Sequence, residues 1–450
     1  MPRRTGSPSP LQLLIWGYVG LSVFGALLLM TPWARRGPLS FVDALFTATS
    51  ALCVTGLIVK DTATFWTPFG KAVILLLIEI GALGYMTFAT LILGFLTGKR
   101  DLRLRQMMSA SFPALSPGYI GQFARRVLVF SALAQLLGWG LLTLWLWPSR
   151  GIRALGEGLF LSISAFGNAG FSPYSDNLVQ AGQHAGVLLT VACLLILGGL
   201  GFWVIEDFTL YIMGQRRKLT LHTRWVFRLT AFLLITGTLG ILLADWHRGL
   251  RMYSPVFRVL HAFFQAATPR TAGFNTVDLT RLSPLSLTFI AFLMFVGGSP
   301  GGTAGGIKTT TLLTIWTATR AFLRGHDVVL SRRRIPLETV AQATAIVTLA
   351  AGVIGGVLTL LLFAEGPHTT VERTFRYFFE VVSAFGTVGL SLGSLQDPRV
   401  SFSADFSVPA KSLIILTMWI GRAGILTVAA AFIERKHEPI QYVDGQLLVG

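Results

Sequence analysis

Four stretches decide the reading of this chain: FTATSALCVTGL (Phe46–Leu57), FLSISAFGNAGF (Phe160–Phe171), FFQAATPRTAGF (Phe263–Phe274) and FFEVVSAFGTVGL (Phe378–Leu390). Aligned on Gly56, Gly170, Gly273 and Gly389, they place Phe46, Phe160, Phe263 and Phe379 at one upstream register. Leu57, Phe171, Phe274 and Leu390 follow the glycines. The copies recur at intervals of a little over a hundred residues. That period exceeds a solenoid repeat, so each unit is a substantial bundle of its own.

The 450 residues are 53% hydrophobic and only 13% charged, against about a quarter charged in a soluble chain. Apolar runs of roughly twenty residues, enough to cross a bilayer, occur throughout. The chain reads as an all-α polytopic membrane protein seated in a lipid bilayer. Its opening MPRRTGSPSP precedes LQLLIWGYVGLSVFGALLLM, an apolar run longer than a signal-peptide core and therefore the first span. Cys53 and Cys193 are too few for a disulfide framework and read as small apolar side chains.

A net charge of +17 suggests nucleic acid only if its distribution is ignored. The basic clusters 99–105, Arg125-Arg126, Arg216-Arg217-Lys218, Arg332-Arg333-Arg334 and Arg435-Lys436 fall between the copies. Such clusters mark cytoplasmic loops, and no nucleic-acid partner is expected. On the opposite side lie Asp43, Asp61, Glu157, Asp176, Asp278, Glu372, Glu380 and Asp397, acids that concentrate cations at an outer mouth.

With those loops inside, each unit is a span, a half-crossing carrying the motif, and a returning span. The spans fall near 11–31 and 68–97, 127–147 and 184–213, 226–245 and 284–323, and 338–364 and 409–434. The units are 1–98, 99–213, 214–323 and 324–434, followed by a cytoplasmic tail, 435–450. Each motif is too short and too polar to span. Irregular backbone at membrane depth survives only where protein or water covers it, so each motif reads as a short re-entrant helix followed by a loop that turns on glycine. Four span–pore-helix–span repeats then surround a pseudo-fourfold central pore.

Backbone carbonyls ringed about an axis replace the hydration shell of a cation. Glycine supplies the positive φ that aims them inward, and a helix C-terminus pointing at the axis adds negative potential. The candidate ion-binding residues are Val54, Thr55 and Gly56; Asn168, Ala169 and Gly170; Thr271, Ala272 and Gly273; and Thr387, Val388 and Gly389. Together they read as a selectivity filter at 53–57, 167–171, 270–274 and 386–390. Cys53 and Arg270 stand where the second and fourth copies have glycine, so the filter is not symmetric.

The returning spans carry Gly81-Ala82-Leu83-Gly84, Gly198-Gly199-Leu200-Gly201 and Gly421-Arg422-Ala423-Gly424, read as small residues for close helix packing. The third is interrupted by Gly297, Gly298, Ser299, Pro300, Gly301, Gly302, Thr303, Ala304, Gly305, Gly306, Ile307 and Lys308, which cannot continue a helix. A phosphate-binding Walker loop needs glycine directly before lysine, and Ile307 intervenes. The stretch 297–308 reads instead as a gate across the pore beneath the filter. Arg422, deep in a span, is expensive there and needs water or a partner. It holds the loop through carbonyls, raises an electrostatic barrier, or pairs with Glu79. Lys308 meets inner water or loop carbonyls. No catalytic or metal-ligand spacing is found among the His, Ser and acidic residues, so no enzyme is expected.

At these residues the chain resembles the Trk/Ktr/HKT superfamily of potassium transporters, and within it the pore-forming membrane subunit of bacterial Ktr systems. The resemblance covers essentially the whole chain, and its most specific parts are the four motifs, the loop 297–308 and Gly421-Arg422. It implies a potassium conduit of the bacterial cytoplasmic membrane, paired as a homodimer, with a cytosolic ring of nucleotide-binding regulatory subunits on the inner face. In some relatives serine replaces the first filter glycine and sodium passes; four glycines here point to K+. No covalently bound cofactor is implied, and a sodium dependence stays open. The alternative is a secondary transporter with alternating access, which uses paired repeats with broken helices.

Overall fold

The computed structural model describes residues 10–84, 120–366 and 370–432. Outside them lie the basic segment 99–105, the far end of the first returning span, and Arg435, Lys436 and the rest of the tail. Among the described residues the chain is helical apart from loops and one antiparallel hairpin, β1 (Val329–Leu330) with β2 (Arg333–Arg334).

In chain order the helices are α1 (Pro10–Met30), α2 (Phe41–Leu52), α3 (Pro68–Leu83), α4 (Ile120–Arg150), α5 (Arg153–Gly167), α6 (Ala185–Gly199), α7 (Phe202–Ile212) and α8 (Leu221–Asp245). There follow α9 (Pro255–Ala267), α10 (Pro284–Phe295), α11 (Thr309–Leu323), α12 (Leu337–Glu365), α13 (Val371–Gly386), α14 (Val408–Ala423) and α15 (Ile425–Phe432). Of the described helices, α4, α8 and α12 are long and apolar enough to cross a membrane, and the bent pair α6–α7 makes a fourth.

The four motif helices α2, α5, α9 and α13 run for 12, 15, 13 and 16 residues. Local chemistry starts them: Ser40 Oγ accepts from Asp43 N at 3.1 Å and Thr370 Oγ1 from Arg373 N at 3.3 Å, each satisfying an orphan helix amide. Pro255 opens α9 at a position that needs no N–H. Their C-terminal halves are buried, so these half-crossings meet protein rather than lipid.

The register of the third copy departs from the sequence alignment. Phe46, Phe160 and Phe379 are buried, but in α9 the buried anchor is Phe264, with Phe263 only partly covered. The turn that follows is one residue tighter. Ala272 N bonds Thr268 O at 2.9 Å, whereas Thr55 N, Ala169 N and Val388 N reach back one residue further, to Ser50, Ser164 and Ser383. Pro269, which has no N–H to donate, stands in that turn.

The returning helices α3, α6, α10 and α14 all stop after 16, 15, 12 and 16 residues. The single returning spans expected near 184–213 and 409–434 are thus each two helices, while that of unit one is described only as far as Gly84. Gly84 (φ 76°), Gly201 (φ 94°) and Gly424 (φ 84°) adopt backbone that ends the helical ladder, and α7 leaves α6 at 98°. In unit three the gap is far longer, from Phe295 to Thr309. The packing role assigned to the neighbouring glycines does appear. A Cβ at Gly81, Gly198 or Gly421 would lie against the carbonyl of Leu52, Phe166 or Phe385, at the end of the same unit's motif helix.

Candidate ion pathway

Each motif helix ends in the same backbone signature. Val54, Asn168, Thr271 and Thr387 hold φ of 56°, 59°, 77° and 49°, and two residues later Gly56, Gly170, Gly273 and Gly389 hold 95°, 70°, 73° and 90°. Left-handed backbone costs a non-glycine residue about 1 kcal/mol, so four such residues in one register mark a shape held by its surroundings. The residues between, Thr55, Ala169, Ala272 and Val388, are fully buried.

The four glycines abut one another in a closed cycle. A Cβ added to Gly56 would stand 2.6 Å from Ala169 O and 3.0 Å from Gly170 Cα. One on Gly170 would meet Ala272 O and Gly273 Cα, both at 3.0 Å. On Gly273 it would meet Val388 O, with Gly389 Cα at 3.3 Å; on Gly389, Thr55 O, with Gly56 Cα at 2.8 Å. The order 56, 170, 273, 389 and back to 56 is the chain order, and a Cβ would clash with backbone at Gly56, Gly273 and Gly389 and fit only tightly at Gly170.

A hydroxyl of the preceding helix braces each turn. Ser50 Oγ and Ser383 Oγ accept from Gly56 N and Gly389 N, both at 3.0 Å. Ser164 Oγ and Thr268 Oγ1 instead donate to Phe171 O and Phe274 O, both at 2.7 Å. The sequence reading missed these four, although Ser50, Ser164 and Ser383 share one register. Three hydroxyl oxygens of the cycle, on Thr55, Thr271 and Thr387, are buried without a hydrogen-bond partner. A hydroxyl keeps lone pairs free to accept.

Above the cycle a cavity of about 740 Å³ is lined by Gly56, Gly170 and Gly389, by Ser172 and Ser391, and by Asp176 and Asp278. The other acids expected at this mouth are largely engaged elsewhere. Asp43 pairs with Lys411 at 2.8 Å, Asp61 accepts from Thr64 and Ser175, and the fully buried Glu380 accepts from Ser403 N and Oγ.

On the other side lies the loop Gly297–Lys308, clamped from two units. Ser299 N and Thr303 N bond Gly199 O and Gly198 O at 3.1 and 3.4 Å, and Phe202 N bonds Gly301 O at 2.9 Å. The Asn168 amide and the Thr303 hydroxyl meet at 2.8 Å, and Thr387 packs against Gly305. Lys308 Nζ donates to Ala304 O and Gly305 O at 2.5 and 3.2 Å. Arg422 donates to the carbonyls of Thr303, in the loop, and of Gly81, in α3. Of the three roles weighed for Arg422, carbonyl tethering is the contact present. Glu79 is engaged elsewhere, accepting from Gln135 Nε2 at 2.9 Å. Arg270 turns to α8, donating to Thr230 Oγ1 at 3.1 Å.

Half-crossing helices gathered about glycine turns, with a backbone loop beneath, define a membrane transport protein. The chain belongs to the TrkH family, described as cation transport protein, which it matches over residues 8–439. Among curated relatives it is 36% identical to the Ktr system potassium uptake protein B of Bacillus subtilis, over 98% of this chain and 97% of that one. It is 34% identical to the protein of the same description from Vibrio alginolyticus, over 98% and 94%. Against the potassium/sodium uptake protein NtpJ of Enterococcus hirae the identity is 33%, over 98% and 97%. In fold it is similar to the crystal structure of the potassium transporter TrkH from Vibrio parahaemolyticus, with a TM-score of 0.75 and 19% identity, over 96% of this chain and 86% of that one.

Proposed function

We propose that the chain carries K+ across the bacterial cytoplasmic membrane through a filter built by the four glycine turns and gated by the loop 297–308. The observation that carries this reading is the closed cycle Gly56–Gly170–Gly273–Gly389, in which a Cβ at three of the four positions would clash with the next strand's backbone. A K+ entering from the cavity exchanges its water for the main-chain oxygens of 54–56, 168–170, 271–273 and 387–389, and unpartnered threonine hydroxyls stand at the same level. Below, the loop with Lys308 and Arg422 places backbone and two cations across the path. Passage requires the loop to withdraw.

The four units 1–98, 99–213, 214–323 and 324–434 each supply one filter strand. Two such chains pair as a homodimer. A cytosolic ring of nucleotide-binding subunits docks on the basic inner face and the tail 435–450, and moves the loop. The relatives' descriptions as Ktr system potassium uptake proteins support potassium as the cargo, and that of NtpJ names sodium beside potassium. The test is rubidium uptake into liposomes carrying the purified chain, with and without a cytosolic partner and nucleotide. Saturable uptake that excludes sodium is expected. Uptake that neither saturates nor discriminates overturns the filter.

A further inference from the structure

One polar side chain outside the four motifs reaches the cycle itself. Asn177, in the loop that follows the second turn, directs its amide Nδ2 at Gly170 O and Gly273 O, at 3.5 and 3.4 Å. One amide nitrogen, which carries two N–H groups, thus spans the carbonyls of two adjacent strands. Its placement is fixed locally. Asn177 sits at φ 58°, which asparagine tolerates better than most residues. Its carbonyl accepts from Ser172 Oγ at 2.7 Å, and the next residue, Leu178, bonds Asn275 O through its N–H at 3.1 Å. The side-chain oxygen Oδ1 is buried and has no hydrogen-bond partner. Asn177 lines the outer cavity.

We infer that Asn177 is a specificity-determining residue: its amide sets the direction of the Gly170 and Gly273 carbonyls at the outer end of the pathway. The inference rests on the filter reading above. The physical reason is that a carbonyl following glycine swings easily, so without an outside donor two of the four outermost oxygens lose their fixed distance from the ion. A site that adapts its size no longer rejects the smaller sodium ion. Strand one has a different brace, since Ile58 N donates to Ser401 Oγ at 2.9 Å and Ser401 N to Ile58 O at 2.8 Å.

Two variants tolerate the left-handed backbone and remove the amide donor. Asn177→Gly removes it, and Asn177→Asp replaces the donor with an acceptor of the same shape. Rubidium and sodium influx are measured in liposomes for both and for the unaltered chain. Asn177→Gly is expected to lose about three- to tenfold in K+ over Na+ preference, with a raised apparent KM and little change in maximal rate, the effect of losing one hydrogen bond. Asn177→Asp is expected to lose at least as much at neutral pH. It regains preference as the pH falls through the ordinary carboxyl range near about 4, because the protonated acid donates again. The glycine variant has no group to titrate and does not recover. If the unaltered chain itself fails to discriminate, the filter reading falls. If it discriminates and both variants match it at every pH, or if Asn177→Asp shows no recovery on acidification, Asn177 has no such role.

Discussion

Gly273→Ser is the sharpest perturbation of the cycle, and its size follows from the packing there. Serine must hold φ near 73°, at about 1 kcal/mol for a residue with a Cβ. That Cβ would press on the Val388 carbonyl and stand 3.1 Å from Gly170 Cα and 3.3 Å from Gly389 Cα. Both outer contacts are backbone, which cannot rotate out of the way, so one strand or its carbonyl must retreat. A retreat that favours a smaller ion by about 1.4 kcal/mol lowers K+ over Na+ preference about tenfold. At Gly170 the nearest atoms lie at 3.0 Å, a contact that a shift of a few tenths relieves. Gly170→Ser should therefore lose less than Gly273→Ser, while Gly389→Ser, which would press on Thr55 O, should resemble Gly273→Ser. The assay is rubidium influx into liposomes against increasing sodium, on protein that remains monodisperse in detergent. Equal selectivity in all three variants, or a Gly170 variant worse than the Gly273 variant, refutes the argument from steric fit.

Ser383→Ala leaves the Gly389 N–H without its 3.0 Å acceptor; a thermal-shift measurement in detergent should show a loss of about 1–3 kcal/mol, and an unchanged melting temperature together with unchanged selectivity would remove the brace from the account. Shortening 298–306 deletes the residues that bond Gly198, Gly199 and Phe202, and K+ flux without any partner should rise; unaltered or lower flux in folded protein would sink the gate assignment. Arg422→Lys separates tether from barrier: a lysine keeps the charge but not the fork that reaches both Thr303 O and Gly81 O. Leak in Arg422→Lys as large as in Arg422→Ala is expected from a tether, whereas a lysine variant as tight as the unaltered chain would point to charge alone.

Much of the fold was legible because the motif helices are short and polar where a span would be long and apolar. The glycines Gly56, Gly170, Gly273 and Gly389 were legible for a similar reason, being the one residue type repeated at a fixed offset from the turn. The breaks at Gly201 and Gly424 were not. A glycine that packs and a glycine that turns are the same letter, and the sign of φ depends on what lies beyond it. The one-residue slip in the third copy was hidden because Phe263 and Phe264 are adjacent, so either could fill the alignment. Glu79 drew attention as a partner for Arg422 by depth alone, but Gln135 of α4 reaches it first. Asn177 belongs to no repeated register, and only folding of its loop over two strands brings it to them.

The hydroxyl braces sort the turns into two kinds. Turns one and four are held through a glycine amide, whereas turns two and three are held through the carbonyl that follows. Ser401, from the fourth unit, grips the first strand, and Asn177 bridges the second and third. If the proposed filter holds an ion on this axis, that ion meets two unlike pairs of walls, and it should settle off centre and relax differently along two perpendicular directions. A pore assembled from four identical subunits has no means of imposing that bias; a single chain does, and it can alter one pair while leaving the other untouched.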